Sequence, residues 1–83
     1  MNYPVKTPEQ LGDVLKGCRK DMRLTQKDAG AKVGLQQRSI SEIENGTAHV
    51  SVERLFKLLS ALEVDLVVRT RSGASSNQTA PDW

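Results

Sequence analysis

The sequence predicts an all-α fold of four or five helices that ends in one short β-strand. Four segments place apolar residues at helical spacing, whereas residues 65–70 form a run rich in β-branched residues. Glycine or an Asn-Gly pair separates the second, third and fourth segments, where the chain has to turn. With 83 residues, the elements form one small domain over 1–71, whose core must be aliphatic because aromatic residues make up only 4%.

The first helix is predicted over residues 8–22. Thr7 is a suitable N-cap, Pro8 suits the first helical position, and Gln10 can complete a capping box. Apolar residues then recur on one face of the helix: Leu11, Val14, Leu15, Cys18 and Met22.

The second helix is predicted over residues 26–33 and is short. Thr25 is its N-cap, and Asp28 favours the positive N-terminal end of the helix. Gly34 ends the helix, since glycine readily adopts the left-handed conformation found after helix C-termini.

The third helix is predicted over residues 37–44, after a tight connection. Ile40 and Ile43 are its inward-facing residues, and Asn45-Gly46 is a stop and turn signal. The remaining side chains of this helix are polar and point outward.

The fourth helix is predicted to begin after Ser51 and to run to Leu62 or Glu63. Its apolar residues follow helical spacing: Val52, Leu55, Phe56, Leu59 and Leu62. The strand that follows has no second strand in this chain to pair with. Leu66, Val67 and Val68 are therefore predicted to pair with their own copies in a homodimer, with helix four beside them.

The composition excludes several classes of protein. The net charge of +2 is compatible with nucleic acid but does not argue for it. Cys18 is the only cysteine, which excludes a disulfide framework within the chain, and His49 stands without a second metal ligand. No apolar run reaches the roughly 20 residues of a membrane span, and there is no catalytic set. The expectation is a cytoplasmic, non-enzymatic protein without metal or cofactor.

Residues 72–83 are predicted to form a flexible tail. The segment is rich in small and polar residues and lacks large apolar groups until its last residue, Trp83. An exposed Trp beside a free carboxylate suits docking into a partner's pocket, and the alternative is an incidental terminal residue.

The most informative pattern is the pair of short helices joined through Gly34. A helix-turn-helix needs a small residue where its helices cross, which Gly30 supplies, and an apolar anchor after the turn, which Leu35 supplies. Its second helix lies in the major groove of DNA and is polar on the outside. The pattern therefore predicts DNA binding, although a solvated helix face would look the same.

The outward side chains of the third helix suit the reading of bases. Gln37 can bond adenine through two atoms, Arg38 can bond guanine in the same way, and Ser41 lies one turn further on. Glu42 either reads a cytosine amino group or restrains Arg38 through an i, i+4 ion pair. The other candidates for DNA contact are Gln26, Lys27, Gln36, Ser39 and Asn45.

Residues 24–35 and 39–46 resemble the Cro/phage-repressor (Xre) family of helix-turn-helix proteins. The resemblance covers Leu11 to Leu62 and implies a lambda-repressor-like helix bundle. It also implies that Gln26 bonds a phosphate and that Asn45 lies close to the DNA backbone. The groove-facing readers that it implies are Gln36, Gln37, Arg38 and Ser41. Ala29 departs from the family, which usually has Leu there.

A narrower resemblance is to the HipB antitoxin family. It rests on Tyr3, on residues 7–11, 55–59 and 62–63, on the strand that follows, and on the polar tail ending in Trp83. The resemblance implies a homodimer that binds double-stranded operator DNA of its own operon and docks a HipA-like Ser/Thr kinase toxin. Trp83 is then the predicted docking residue.

Three hypotheses therefore stand. The first is a HipB-like antitoxin and autorepressor. The second is a stand-alone phage-type (Cro/Xre) repressor without a toxin, for which residues 72–83 would be dispensable. The third is a protein-interaction module that uses the same fold without DNA, for which the side chains of Gln37 and Arg38 would have no role in DNA binding.

Overall fold

The computed structural model describes residues 3–46 and 49–71. This part of the chain contains four helices: α1 (Pro8–Asp21), α2 (Gln26–Val33), α3 (Gln37–Glu44) and α4 (Val52–Ala61). The predicted bounds of α2 and α3 are confirmed residue for residue, and α1 and α4 end slightly earlier than predicted. The all-α class is confirmed, with four helices in the described residues rather than five.

The N-caps of α1 and α2 follow the predicted residues, with one difference. Thr25 Oγ1 accepts a hydrogen bond from the Asp28 backbone N–H at 3.0 Å, and Asp28 Oδ2 accepts from the Thr25 N–H at 3.4 Å. This reciprocal pair is a capping box. At α1 only half of the box forms, because the Gln10 side chain bonds the N–H of Lys6, at 2.7 Å, and not that of Thr7.

The core lies where α3 and α4 pack against α2 and where α1 packs against α3. Its buried members come from all four helices and from the C-cap of α4: Leu15, Ala29, Ile40, Ile43, Leu58, Leu59 and Leu62. Gly30 lies at the crossing of α2 with the turn, where a Cβ atom would collide with the Leu35 carbonyl oxygen. The predicted need for a small residue at this crossing is confirmed.

The predicted inward face of α4 was partly wrong. Leu58 is fully buried, whereas Val52 is 65% exposed and Phe56 is 49% exposed. The buried stripe consists of residues 55, 58, 59 and 62, which keeps the i, i+3, i+4, i+7 spacing but is centred further along the helix. Val52 and Phe56, four residues apart, therefore form an exposed apolar edge.

The described residues contain no strand, so the expected strand over 65–70 is not found. A strand is defined by pairing, and the described part of a single chain offers this segment nothing to pair with. Leu66, Val67 and Val68 are 50%, 76% and 89% exposed. Their pairing across a dimer stays a prediction. The predicted tail over 72–83, including Trp83, lies outside the described residues.

None of the helices in the described ranges is long and apolar enough to span a membrane. The same ranges hold no group of three His, Cys, Asp or Glu side chains that could bind a metal ion.

Candidate nucleic-acid interface

The inner face of α3 is fixed by burial. Ile40 is fully buried, Ile43 is 5% exposed, and Glu44 at the end of the helix is 4% exposed. The side chains of Gln37 and Arg38, in the first turn of α3, are exposed. The packing of Ile40 and Ile43 in the core therefore sets the direction in which α3 exposes its polar side chains.

Glu44 owes its place in the interior to an ion pair with α1. Arg19 Nε donates to Glu44 Oε2 at 2.6 Å, and Arg19 Nη2 donates to Glu44 Oε1 at 3.1 Å. Arg19 Nη1 also donates to the Leu24 carbonyl oxygen at 2.8 Å. The two side chains are only 10% and 1% exposed. This two-pronged contact compensates the cost of burying both charges.

A chain of hydrogen bonds runs from this buried pair to the exposed start of α3. Glu44 Oε1 accepts from Gln26 Nε2 at 3.1 Å, and Gln26 Oε1 accepts from Gln37 Nε2 at 3.4 Å. Gln26 therefore positions Gln37 relative to the core. A second hydrogen on Gln26 Nε2 is the donor that the predicted phosphate contact requires.

Four further predicted DNA-contact residues, on α3 and at its C-cap, form two local pairs. Arg38 Nε lies 3.5 Å from Glu42 Oε2, and these side chains are 85% and 39% exposed. Asn45 Nδ2 donates to Ser41 Oγ at 3.4 Å. In the DNA-free chain, Glu42 thus makes the restraining contact with Arg38 that was one of its two expected roles.

Three predicted residues stand outside these pairs. Gln36 is the N-cap of α3 but makes no side-chain capping bond. Ser39 is half-buried, and Lys27 is exposed at the start of α2. The structure thus gathers all nine predicted DNA-contact residues on α2, the turn, α3 and the residue that follows it.

An open cleft lies beside the start of α3, between the end of α1 and the start of α2. We call it the α1–α2 cleft. It is lined by Arg19, Lys20, Arg23, Leu24, Thr25, Gln26, Lys27 and Gln37. The lining includes four cationic side chains and no carboxylate, and it holds the Gln26–Gln37 hydrogen bond.

The family model described as Helix-turn-helix matches residues 15–68. The chain is 31% identical over 71 residues to Antitoxin HipB of Escherichia coli O6:H1, covering 86% of this chain and 76% of that protein. It is 29% identical over 75 residues to Antitoxin HipB of E. coli K12, covering 90% of this chain and 85% of that protein.

The chain belongs to the HipB family of helix-turn-helix proteins. Solved structures agree with this membership. The HipB-O4 20mer complex superposes with a TM-score of 0.79 at 27% identity, covering 84% of this chain and 99% of that chain. The HipA-HipB-O2-O3 complex gives the same score, identity and coverage.

The buried ion pair behind the exposed start of α3, in which Arg19 and Glu44 are partners, was not predicted from the sequence. Arg19 follows Leu15 by four residues on the apolar face of α1, and Glu44 follows Ile40 by four on that of α3. Opposite charges that continue two inward-facing stripes are the signal for a buried ion pair.

Proposed function

We propose that this chain is a dimeric, sequence-specific DNA-binding repressor and the antitoxin of a HipA/HipB-type toxin–antitoxin system. It acts in the cytoplasm as a binding protein, not as an enzyme. One observation carries the DNA-binding part: the exposed start of α3 is tied to the core through Gln26 and the buried Arg19–Glu44 pair. Family membership and the HipA-HipB-O2-O3 complex support the antitoxin part.

The start of α3 reads bases in the major groove. Gln37 bonds the N6 and N7 edge of an adenine, Arg38 bonds O6 and N7 of a guanine, and Ser41 contacts the next base. The exposure of Gln37 and Arg38 supports these roles, since both side chains reach solvent without displacing a core residue. Ser39 and Glu42 border the reading face.

Contacts to the DNA backbone place α3 in register. Gln26 and Lys27 bond one phosphate segment at the start of α2, while Asn45 and Gln36 lie at the two ends of α3 and contact the flanking backbone. Such contacts carry little sequence information, but they supply much of the affinity and make it sensitive to salt.

Two copies pair through Leu66, Val67 and Val68, so that each reads one half-site. The large exposed fractions of these three residues in a single chain support the pairing, because an isolated apolar segment gains by being covered. Val52 and Phe56 on α4 form a second exposed apolar edge that a partner copy could cover. The half-sites then lie one DNA turn, or a multiple of it, apart.

The toxin docks on the C-terminal tail. Residues 72–83 follow the DNA-binding domain in the sequence, and Trp83 supplies an aromatic anchor. Neutralisation follows from holding the toxin at the operator or from restricting its motion.

The experiment is a pull-down from native cells that identifies both bound DNA and bound protein. Three chains are compared: the full chain, a chain ending at Arg71, and a full chain with Gln37→Ala and Arg38→Ala. We expect the full chain to recover its own promoter and a kinase-like protein. Truncation should remove only the protein, and the double substitution should remove only the promoter.

Two results would contradict the proposal. Recovery of the promoter without any protein partner identifies a stand-alone repressor. Recovery of a protein partner without DNA, unchanged by the double substitution, identifies a protein-interaction module.

A further inference from the structure

The end of α1 separates two surfaces of opposite charge. On one side, Asp13 and Asp21 line a shallow groove together with Tyr3. On the other side, Lys20 and Arg23 line the α1–α2 cleft, which extends to Gln37 at the start of α3. The positive surface is thus continuous with the predicted base-reading helix.

Three of the four cations in the cleft are not neutralised by an ion pair. Arg19 is held by Glu44, but Lys20, Arg23 and Lys27 form no ion pair with any residue of 3–46 or 49–71, and all three are exposed. Their positive potential extends to about 10 Å at 0.1 M salt. A polyanion lying against the cleft would meet three available donors.

Arg23 occupies a backbone position that glycine would fill more easily. Its φ is 58°, and it follows the C-cap of α1. The Arg23 N–H donates to the Lys20 carbonyl at 2.9 Å, and the Leu24 N–H donates to the Arg19 carbonyl at 3.2 Å. This is a Schellman-type ending, which favours glycine at the left-handed position. An arginine there raises the free energy of the fold and aims a long cationic side chain at the cleft.

The end of α4 repeats this backbone geometry away from the cleft. Glu63 has a φ of 57°, its N–H donates to the Ser60 carbonyl at 3.1 Å, and the Val64 N–H donates to the Leu59 carbonyl at 3.0 Å. Glu63 does not line the α1–α2 cleft. The molecule therefore contains a matched control position with the same strain.

We propose that the α1–α2 cleft binds backbone phosphates of DNA through Arg23 and Lys20, on the flank of the half-site read by α3. The inference rests on the proposed DNA-binding function and adds two residues that lie outside α2 and α3. Gln37 borders both the cleft and the start of α3, so a DNA strand leaving the groove at α3 passes over Lys20 and Arg23. Phosphate contact at Arg23 accounts for an arginine at a glycine-favouring position.

The test compares Arg23→Gly with Glu63→Gly. A fluorescent duplex carrying the upstream region of the chain's own gene is titrated with each full-length protein at several salt concentrations, and urea unfolding is recorded in parallel. Both substitutions relieve the same backbone strain, so both should shift the unfolding midpoint in the same direction. Lys57→Ala on α4 controls for the loss of one positive charge.

Log affinity falls as log salt rises, and we take the slope as the magnitude of this fall. Among the single variants, only Arg23→Gly is expected to lower the slope, by about 1. The affinity ratio of wild type to Arg23→Gly should then fall roughly threefold between 50 and 200 mM salt. The double variant Lys20→Ala with Arg23→Gly should lower the slope by about 2. Glu63→Gly and Lys57→Ala should keep the wild-type slope.

Two failures are distinguishable. If the wild type binds the duplex and Arg23→Gly retains the wild-type slope, or if Lys57→Ala lowers the slope equally, the cleft makes no specific phosphate contact and only this inference falls. If the wild type binds no duplex, the proposed function falls together with it.

Discussion

Helix α3 carries two glutamates on opposite sides, and each pairs with an arginine. Glu44 pairs with Arg19 in the interior, where the two side chains are 1% and 10% exposed. Glu42 pairs with Arg38 at the surface, where the side chains are 39% and 85% exposed. The distances also differ, at 2.6 Å for the inner pair and 3.5 Å for the outer pair.

The difference shows how one short helix can be rigid and adaptable at once. A buried ion pair that loses one partner leaves an uncompensated charge in a medium of low dielectric constant. An exposed pair that loses one partner is rehydrated at little cost. The inner pair therefore fixes where α3 lies, while the outer pair can exchange for contacts with DNA without disturbing the fold.

The largest expected effect is the loss of either partner of the inner pair. Glu44→Ala or Arg19→Ala should lower the free energy of unfolding by about 3–5 kcal/mol, measured by urea denaturation. The double variant Arg19→Met with Glu44→Leu should lose less than either single variant, because it leaves no unpaired buried charge. Equal losses in all three variants would show that an unpaired buried charge is not what destabilises the single variants.

The next largest effect concerns the close backbone contact between α1 and α3, the helices that carry the Arg19–Glu44 pair. A Cβ atom on Gly12 would collide with the carbonyl oxygen of Glu44, whereas a Cβ atom on Gly17 would meet nothing. Both glycines lie in α1. Gly12→Ala should destabilise the fold by roughly 1–3 kcal/mol through forced separation of α1 and α3. Gly17→Ala should stabilise it by about 0.5–1 kcal/mol through helix propensity.

Thermal unfolding of the two variants tests whether Gly12→Ala destabilises the fold while Gly17→Ala stabilises it. Because the substitution is the same in both, the difference isolates the packing contact from the intrinsic preference of alanine for helix. Stabilisation by both substitutions would mean that α1 can shift away from α3 at no cost.

Local signals predicted most of the fold. The bounds of α2 follow from local signals, namely the N-cap pair of Thr25 and Asp28 and the terminal Gly34. The position of the helix crossing follows from Gly30. The inner pair was harder to predict because Arg19 and Glu44 are 25 residues apart, and only tertiary packing brings them together. Helix α4 has more apolar residues than one face can hold, so its periodicity left the buried stripe undetermined. The expected pairing of residues 65–70 depends on a second chain.

The smallest expected effect decides between the two roles of Glu42. Removal of the outer pair by Glu42→Ala should change the free energy of unfolding by only about 0.3–0.5 kcal/mol, less at high salt.

The effect of Glu42→Ala on DNA binding separates the two roles of Glu42. If Glu42 only restrains Arg38, the variant should bind every operator sequence at least as tightly as wild type, because a negative charge has left the interface. If Glu42 reads a cytosine amino group, the variant should lose discrimination at one base pair, by roughly 1–3 kcal/mol. Competition between operator duplexes that differ at single positions measures this, and Glu42→Gln, which keeps the acceptor oxygen without the charge, shows whether the hydrogen bond or the charge is responsible.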